Sequence, residues 1–501
     1  MKKTLWPSLG ICLGILVVAM DWSIVNNALP SIQRDLGATL GELQWMVNVF
    51  GLVMTVALVM MGRFADAFGR RRMFSLGLLT CAVGSLGAAL APNALWLIIF
   101  RAVQGLSNAM LLPTSQSLIT HVFPENQHGK AMGIWTTLVG LGLSLGPVLG
   151  GVIIAISSWH WIFYFNLPFL LVSWILVRLF VEDSKNEQQS AKMDVPGFFL
   201  LVIGLGSLVL AIVQAPDWGW DAPITIALIS LAIVGLLLFY FVEKRVPSPL
   251  IKFEFFKKKK FLAAALGNFS VVFLFWGIFF SVPLYLQNVL GETPFQSGMF
   301  MLAVTIPFGV CSHYAGKYAD QIDKKHLLMG GLFLAFLGVF SMTFLSDVKW
   351  SFLIIASLGL FGVGSGTIFG PSTSLGISAI PRNFAGVASG VLTTMQEIGG
   401  SIGLALTGTF LRSLEQTKLN YTLHQHGMSL SPYIQTKVRS LISSFEQLKE
   451  YLSHQNVEVQ RKVLEAFQEA FVFGFQGGMW LCASVSVCSI LVIFLLLKTA
   501  E

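Results

Sequence analysis

A carboxylate at position 21 stands inside the first long apolar run of the chain, GILVVAMDWSIVNNALPSI. A second acid, Glu397, interrupts a later run, TTMQEIGGSIGLA. Arg101 and Gln104 sit in a third, LIIFRAVQGLSNAMLLP. A central carboxylate in a bilayer costs about 2.5–3.5 kcal/mol on insertion scales, so such groups are read as working residues. Facing a cavity, a carboxylate can hold a proton in one state and release it in another. When ionised it also attracts a cation. Competition between proton and cation for one site would couple their flows in opposite directions. Gln104, Asn108 and Ser115 share a helical stripe with Arg101, and Thr394 and Ser401 share one with Glu397. Asn26 and Asn27 lie about 140° and 120° off Asp21 on opposite sides of the helical wheel, so they are expected to bond neighbouring helices. His313, near the end of its run, is expected to snorkel or to be a satisfied core residue.

The elements that must hold these groups are membrane helices. The chain has 501 residues, of which 55% are hydrophobic and only 11% charged, with a mean hydropathy of +0.74. Soluble domains carry about 25% charged residues, so the sequence predicts an all-α integral membrane protein. Fourteen apolar runs are long enough to span, near 7–29, 43–64, 73–91, 95–118, 130–156, 161–181, 195–214, 222–242, 261–287, 296–315, 326–346, 350–371, 385–411 and 470–497. The first is too long for a signal peptide and ends in NNALP, so it is read as an uncleaved helix. The connections fall into two alternating sets. One holds Arg70 to Arg72, Lys257 to Lys260 and most other basic residues, whereas the short connections of the other hold only Arg34 and Lys349. The positive-inside rule then places both termini in the cytoplasm. The five cysteines, Cys12, Cys81, Cys311, Cys482 and Cys488, all lie in apolar runs and suggest neither a disulfide framework nor a metal site.

One long connection, 412–469, falls on the outer side. Val438, Leu441, Ile442, Phe445, Leu448 and Leu452 recur there at helical spacing, as in an amphipathic helix lying on a surface or partner. Two stretches echo each other: GRFADAFGRRR from Gly62 and GKYADQIDKKH from Gly316. The expected organisation is an N-terminal six-helix half (1–192), a two-helix insert (193–245) and a C-terminal six-helix half (246–501). Parallel repeats of this kind place a substrate site at the midplane between the halves.

GRFADAFGRRR resembles the signature between the second and third helices of the major facilitator superfamily, with Gly62, Asp66, Gly69 and Arg70 in register and Ala67 where a basic residue is common. The resemblance implies a cytoplasmic latch between the halves made by Asp66 and Arg70, with Asp320 and Lys324 as a weaker counterpart. Arg101, Gln104 and Gly105 match the superfamily's fourth-helix motif R-x-x-Q-G, whose arginine is implicated in proton transfer. GLGLSLGPVLGG is similar to the fifth-helix antiporter motif through Gly142, Gly146, Pro147, Gly150 and Gly151. Gly362, Gly366 and Gly370-Pro371 repeat that device less specifically in the second half. WHWIFYFNLP and MDWSIVNNALPSI resemble signatures of the fourteen-helix drug:proton antiporter branch, with Ser23 for Thr and Asn27 for Val. Gln396 and Glu397 depart from that branch's R-Q-L-G-G-type segment.

The resemblance implies a major-facilitator fold and a proton-driven exporter of lipophilic or cationic drugs in a bacterial inner membrane. It needs no cofactor, the proton gradient being the energy source, and is not an enzyme. Proton coupling and substrate binding fall to Asp21, Glu397, Arg101 and Gln104. The alternatives are a dedicated exporter of one metabolite, siderophore or amino acid, and a non-transporting sensor on the same fold. There is no G-x-x-x-x-G-K-[ST] sequence for ATP, no metal-ligand cluster and no reason to invoke nucleic acid. Beyond substrates, protons and the lipid bilayer, similar pumps of double-membrane bacteria dock a periplasmic adaptor and an outer-membrane channel.

Overall fold

The computed structural model describes residues 2–123, 128–182, 194–247, 249–318, 324–346, 351–381, 385–425 and 457–498. Within them lie long helices: α1 (Lys2–Leu36), α2 (Leu40–Phe68), α3 (Arg70–Ala89), α4 (Ala94–Val122) and α5 (His128–Ile156). A short α6 (His160–Tyr164) leads into α7 (Asn166–Phe180). Then come α8 (Val195–Trp218), α9 (Pro223–Glu243), α10 (Lys259–Asn288), α11 (Pro294–Tyr318), α12 (Lys324–Met342), α13 (Ser351–Ser378), α14 (Ala385–Gln425) and α15 (Val457–Lys498). Thirteen spans among the described residues are long and apolar enough to cross a membrane. Helix α14 is not one of them, because Gln396, Glu397 and its glycines dilute its apolar content. It is nonetheless held between α10, α15 and α2.

Local chemistry sets the helix ends that aim the site. Thr39 and Glu42 form a reciprocal capping box at the start of α2, with the Thr39 amide donating to Glu42 Oε2 at 2.8 Å. Asn93 Oδ1 accepts from the Trp96 amide at 2.9 Å and starts α4 two turns before Arg101. Between α2 and α3 there is one residue, Gly69, with φ +109. Its amide closes α2 onto the Ala65 carbonyl, and its carbonyl opens α3 by accepting from Met73. Only glycine takes this backbone conformation without strain, which accounts for the glycine between Asp66 and Arg70.

The two halves are built alike. In the first, α1 packs on α5 and α7, α2 on α4, and α3 on α4; in the second, α10 packs on α14 and α15, α11 on α13, and α12 on α13. The seam is made by α2 with α14, α5 with α11, and α1 with α10. Helices α8 and α9 pair with each other, and α8 also lies on both α2 and α14, so the insert straddles the seam. Thr409 of α14 donates to the Ile212 carbonyl of α8 at 2.9 Å. Pro216 lacks the amide that would otherwise occupy that carbonyl.

The connection expected over 412–469 is shorter than the apolar runs suggest. Helix α14 continues to Gln425 and α15 begins at Val457. An apolar run measures the thickness of the bilayer, not the end of a helix. Both helices continue through polar residues, joined by Lys418 and Glu469 at 2.8 Å. The amphipathic stretch from Val438 to Leu452 lies outside the described residues.

Candidate functional site

The charge that compensates Asp21 comes from eighty residues away. Arg101 of α4 places Nη1 at 2.7 Å from Asp21 Oδ2, and each side chain is only 1% exposed. Asp21 Oδ1 accepts from Gln104 Nε2 and from Asn166 Nδ2, both at 3.1 Å. Gln104 Oε1 in turn accepts from Arg101 Nη1 at 2.9 Å, and Gln104 Nε2 also donates to Ser85 Oγ at 3.1 Å. The carboxylate of α1 is thus held by donors from α4 and α7, with Ser85 of α3 bonded behind Gln104 and Asn166. Both of its oxygens accept N–H donors, the arrangement suited to a buried anion. Asp21 therefore does not open onto a cavity between the halves, as its place in the sequence suggested. It is enclosed within one half.

Arg101 also fixes α2. Its Nε donates to the Met46 carbonyl at 3.1 Å, and its guanidinium lies 4.3 Å from the centre of the Phe50 ring. A Cβ added at Gly105, one turn beyond Arg101, would collide with the Phe50 carbonyl, so the two backbones touch there. The other side of this turn of α2 meets the second half. Val47, Asn48, Phe50 and Gly51 line a pocket with Trp276 of α10 and with Glu397, Gly400, Ser401 and Leu404 of α14. In this conformation the pocket is small, with room for a water rather than a drug. Asn48 is buried with neither side-chain atom hydrogen-bonded among the described residues, and Ser401 Oγ has no partner among them either. Trp22 of α1 meets Trp276 across the seam, ring centres 6.4 Å apart.

The other residues singled out from sequence divide between packing and seam. Gly142, Gly146 and Gly150 of α5 lie against Leu16 to Ile24 of α1, the segment that carries Asp21; a Cβ at Gly142 would come within 2.6 Å of the Ala19 Cβ. Gly151 meets Phe295 of α11, where an added Cβ would lie 2.6 Å from its Cα. Gly62 has no such role, since a Cβ there would sit 3.8 Å from Pro113, an ordinary contact. Gly362 and Gly366 do not repeat the α5 device. They pack α13 on α11 at Val304 and Phe308. The counterpart of the α5 stripe is Gly399 and Gly403, which press α14 onto Phe269 and Phe273 of α10.

Asn27 spans the seam, donating to the Pro147 carbonyl at 3.1 Å and the Pro294 carbonyl at 2.6 Å. Asn26, expected to reach a neighbour, instead donates to Trp22 O one turn back in its own helix at 3.0 Å, where its side chain shares that carbonyl with the helix ladder. Gln44 bonds the Ala405 carbonyl at 2.7 Å. These ties all lie toward the end opposite the termini. Toward the middle of the helices α5 and α11 remain in contact but pack less tightly: an added Cβ at Gly140 would be 3.8 Å from Gly309 Cα, against 2.6 Å from Phe295 Cα at Gly151. Arg70 opens α3 directly after Gly69, with Asp66 in the last turn of α2. Asp320 lies outside the described residues. Ser115 accepts from Trp135 Nε1 at 3.0 Å, away from the Asp21 centre.

Ser85, Asn166, Met46, Phe50 and Asn48 are parts of the site that the sequence did not single out for it. Asn166 lies within the quoted WHWIFYFNLP motif, so its presence carried a signal that its partner did not.

The family model of the Major Facilitator Superfamily matches residues 11–404. "Multidrug resistance protein Stp" of Mycobacterium tuberculosis (strain CDC 1551 / Oshkosh) is 33% identical over 415 residues, 83% of this chain and 76% of that protein. "Tetracenomycin C resistance and export protein" of Streptomyces glaucescens is 30% identical over 81% of this chain and 76% of its own length. A bacterial homologue of the human lysosomal transporter Spinster, solved in an inward-facing and unoccupied conformation, superposes with a TM-score of 0.65 at 17% identity, covering 99% of this chain and 97% of that one. This chain is a multi-pass membrane transporter and belongs to the Major Facilitator Superfamily.

Proposed function

We infer that the chain exports lipophilic, cationic compounds in exchange for protons, by rocking of its two halves about the seam. The observation that carries this reading is the Asp21–Arg101 centre, buried in one half and separated by a single turn of α2 from a pocket that holds Glu397. A proton that neutralises Asp21 removes the counter-ion of Arg101. Glu397 has no cation or hydrogen-bond partner among the described residues and offers its charge to a cationic substrate. Trp276 and Trp22 supply flat apolar faces, which attract cations through the ring quadrupole. The pocket is narrow in this conformation, so substrate entry requires the rocking motion. The names of two relatives, one of multidrug resistance and one of tetracenomycin C resistance and export, support export of drug-like compounds.

The glycine stripes of α5 and α14 pack tightly within their own halves, on α1 and α10, so that each half can rock as a unit. The Asp66–Arg70 corner is the proposed cytoplasmic latch, with both termini in the cytoplasm of a bacterial inner membrane. An adaptor and outer channel, in a host that has them, would meet the opposite face, near the segment joining α14 to α15.

The test is reconstitution in liposomes with an imposed pH gradient, following a panel of lipophilic cations together with lumenal pH. Opposite movement of cation and proton supports the reading. If nothing in the panel moves, export of a single metabolite takes its place.

A further inference from the structure

Phe50 belongs to two sites at once. Its ring lies under the Arg101 guanidinium at 4.3 Å, and the residue lines the pocket that contains Glu397. The carbonyl one turn earlier, Met46 O, is held by Arg101 Nε. The backbone at Phe50 is pressed on Gly105 of α4, so this turn cannot shift independently of the helix that carries Arg101. The next residues toward the pocket, Val47, Asn48 and Gly51, form its first-half wall. Asn48 is buried there with both amide atoms unpartnered among the described residues, so the wall carries a polar group that a ligand could engage.

We propose that Phe50 is the positioning residue through which the charge on the Asp21–Arg101 centre sets the shape of the substrate pocket. This rests on the proton-exchange reading above. With Asp21 ionised, Arg101 is drawn toward it and the ring follows the guanidinium, the attraction being that of a cation for an aromatic face. A proton on Asp21 cancels that pull. The guanidinium moves, the ring moves with it, and the wall at Asn48 closes on the space a substrate would fill. The charged and titratable groups facing this centre are Asp21 on α1, Arg101 on α4 and the Cys81 thiol on α3; Glu397 on α14 lies across the pocket. Phe50 carries no chemistry of its own. It converts a charge change in one half into a change of fit at the seam.

The experiment measures tetraphenylphosphonium binding to the purified full chain at about pH 5.5 and about pH 8, far enough apart to read a proton-linked change in affinity. Wild type is expected to bind about tenfold tighter at the higher pH, the size of an ordinary coupling between sites. Phe50→Leu keeps apolar bulk but loses the ring, and should cut that ratio by more than half. Phe50→Tyr keeps the ring and should restore it. Asp21→Asn should lower the ratio in wild type and add nothing in Phe50→Leu, since both interrupt one path. Phe50→Met serves as a second ring-free variant if Phe50→Leu fails to fold. A wild-type ratio in both ring-free variants, or additive effects of Asp21→Asn and Phe50→Leu, overturns the relay and leaves the exchange reading standing. Absence of pH dependence in wild type overturns proton coupling. Absence of binding at either pH overturns the cation reading. In both of those cases the relay falls with the reading it rests on.

Discussion

Asp21 and Arg101 form an ion pair at 2.7 Å between α1 and α4, and neither side chain has meaningful access to solvent. Such a pair is worth little against an apolar pair of the same shape, but removing one member strands the other. On the proposed exchange reading the pair serves switching rather than stability. Arg101→Ala should therefore destabilise the fold by about 3–5 kcal/mol. Asp21→Asn combined with Arg101→Gln should recover most of that loss, because no uncompensated charge remains. Thermal unfolding in detergent measures this. A double variant that loses as much as the sum of the single ones would contradict the pairing.

Close approach of α5 to α1 gives a second, purely steric prediction. Gly142→Val places carbon where Ala19 and the Leu16 carbonyl already stand, and should lower folded yield and transport by about tenfold or more, in line with overpacking penalties of about 1–3 kcal/mol. Gly62→Ala, whose added Cβ would sit in ordinary contact 3.8 Å from Pro113, should be tolerated. Size-exclusion profiles and efflux assays on the two variants separate them. Equal damage from both would mean that the glycines answer to something other than contact.

How much of this was legible beforehand depends on the kind of residue. The helices were, because a bilayer demands about 20 apolar residues per crossing and the chain spells them out. Asp21, Arg101, Gln104 and Glu397 stood out because charge and polarity in an apolar run are conspicuous. Their partnership did not. Asp21 and Arg101 are eighty positions apart, and only the packing of α1 on α4 brings them together. Ser85 and the Met46 carbonyl have no sequence signal, one being an ordinary small residue and the other backbone. Asn26 and Asn27, on opposite sides of the wheel, were both expected to bond neighbouring helices, yet one turns back on its own helix and the other crosses the seam. Gly362 and Gly366 resembled the α5 stripe in spacing. Spacing alone cannot say which neighbour a stripe faces, and the true counterpart was Gly399 and Gly403.

The Asn27 ties bear on conformation. Asn27→Ala removes a donor to Pro147 O within its own half and one to Pro294 O across the seam, the second worth about 1 kcal/mol to the closed state. The population should shift away from the state closed at the end opposite the termini. Spin labels at Ile156 and Phe295, on the exposed ends of α5 and α11, should show a longer inter-label distance in the variant. An unchanged distance distribution would remove Asn27 from the seam's energetics.

Glu397→Gln isolates charge from shape. Uptake of monocations should fall by about tenfold, equivalent to about 1.4 kcal/mol of binding, whereas neutral lipophilic substrates should be affected far less. Competition binding with matched cationic and neutral ligands tests this. Equal loss for both classes would make Glu397 a wall residue rather than a counter-ion.

The central claim is that the buried Asp21 couples proton flow to substrate flow. Its most direct test compares wild type with Asp21→Asn in liposomes under an imposed pH gradient, with cation uptake and lumenal pH recorded together. The account predicts opposed movement of proton and cation in wild type, and cation movement without proton exchange, or neither, in the variant. Normal exchange by Asp21→Asn would contradict it and move the coupling site to Glu397.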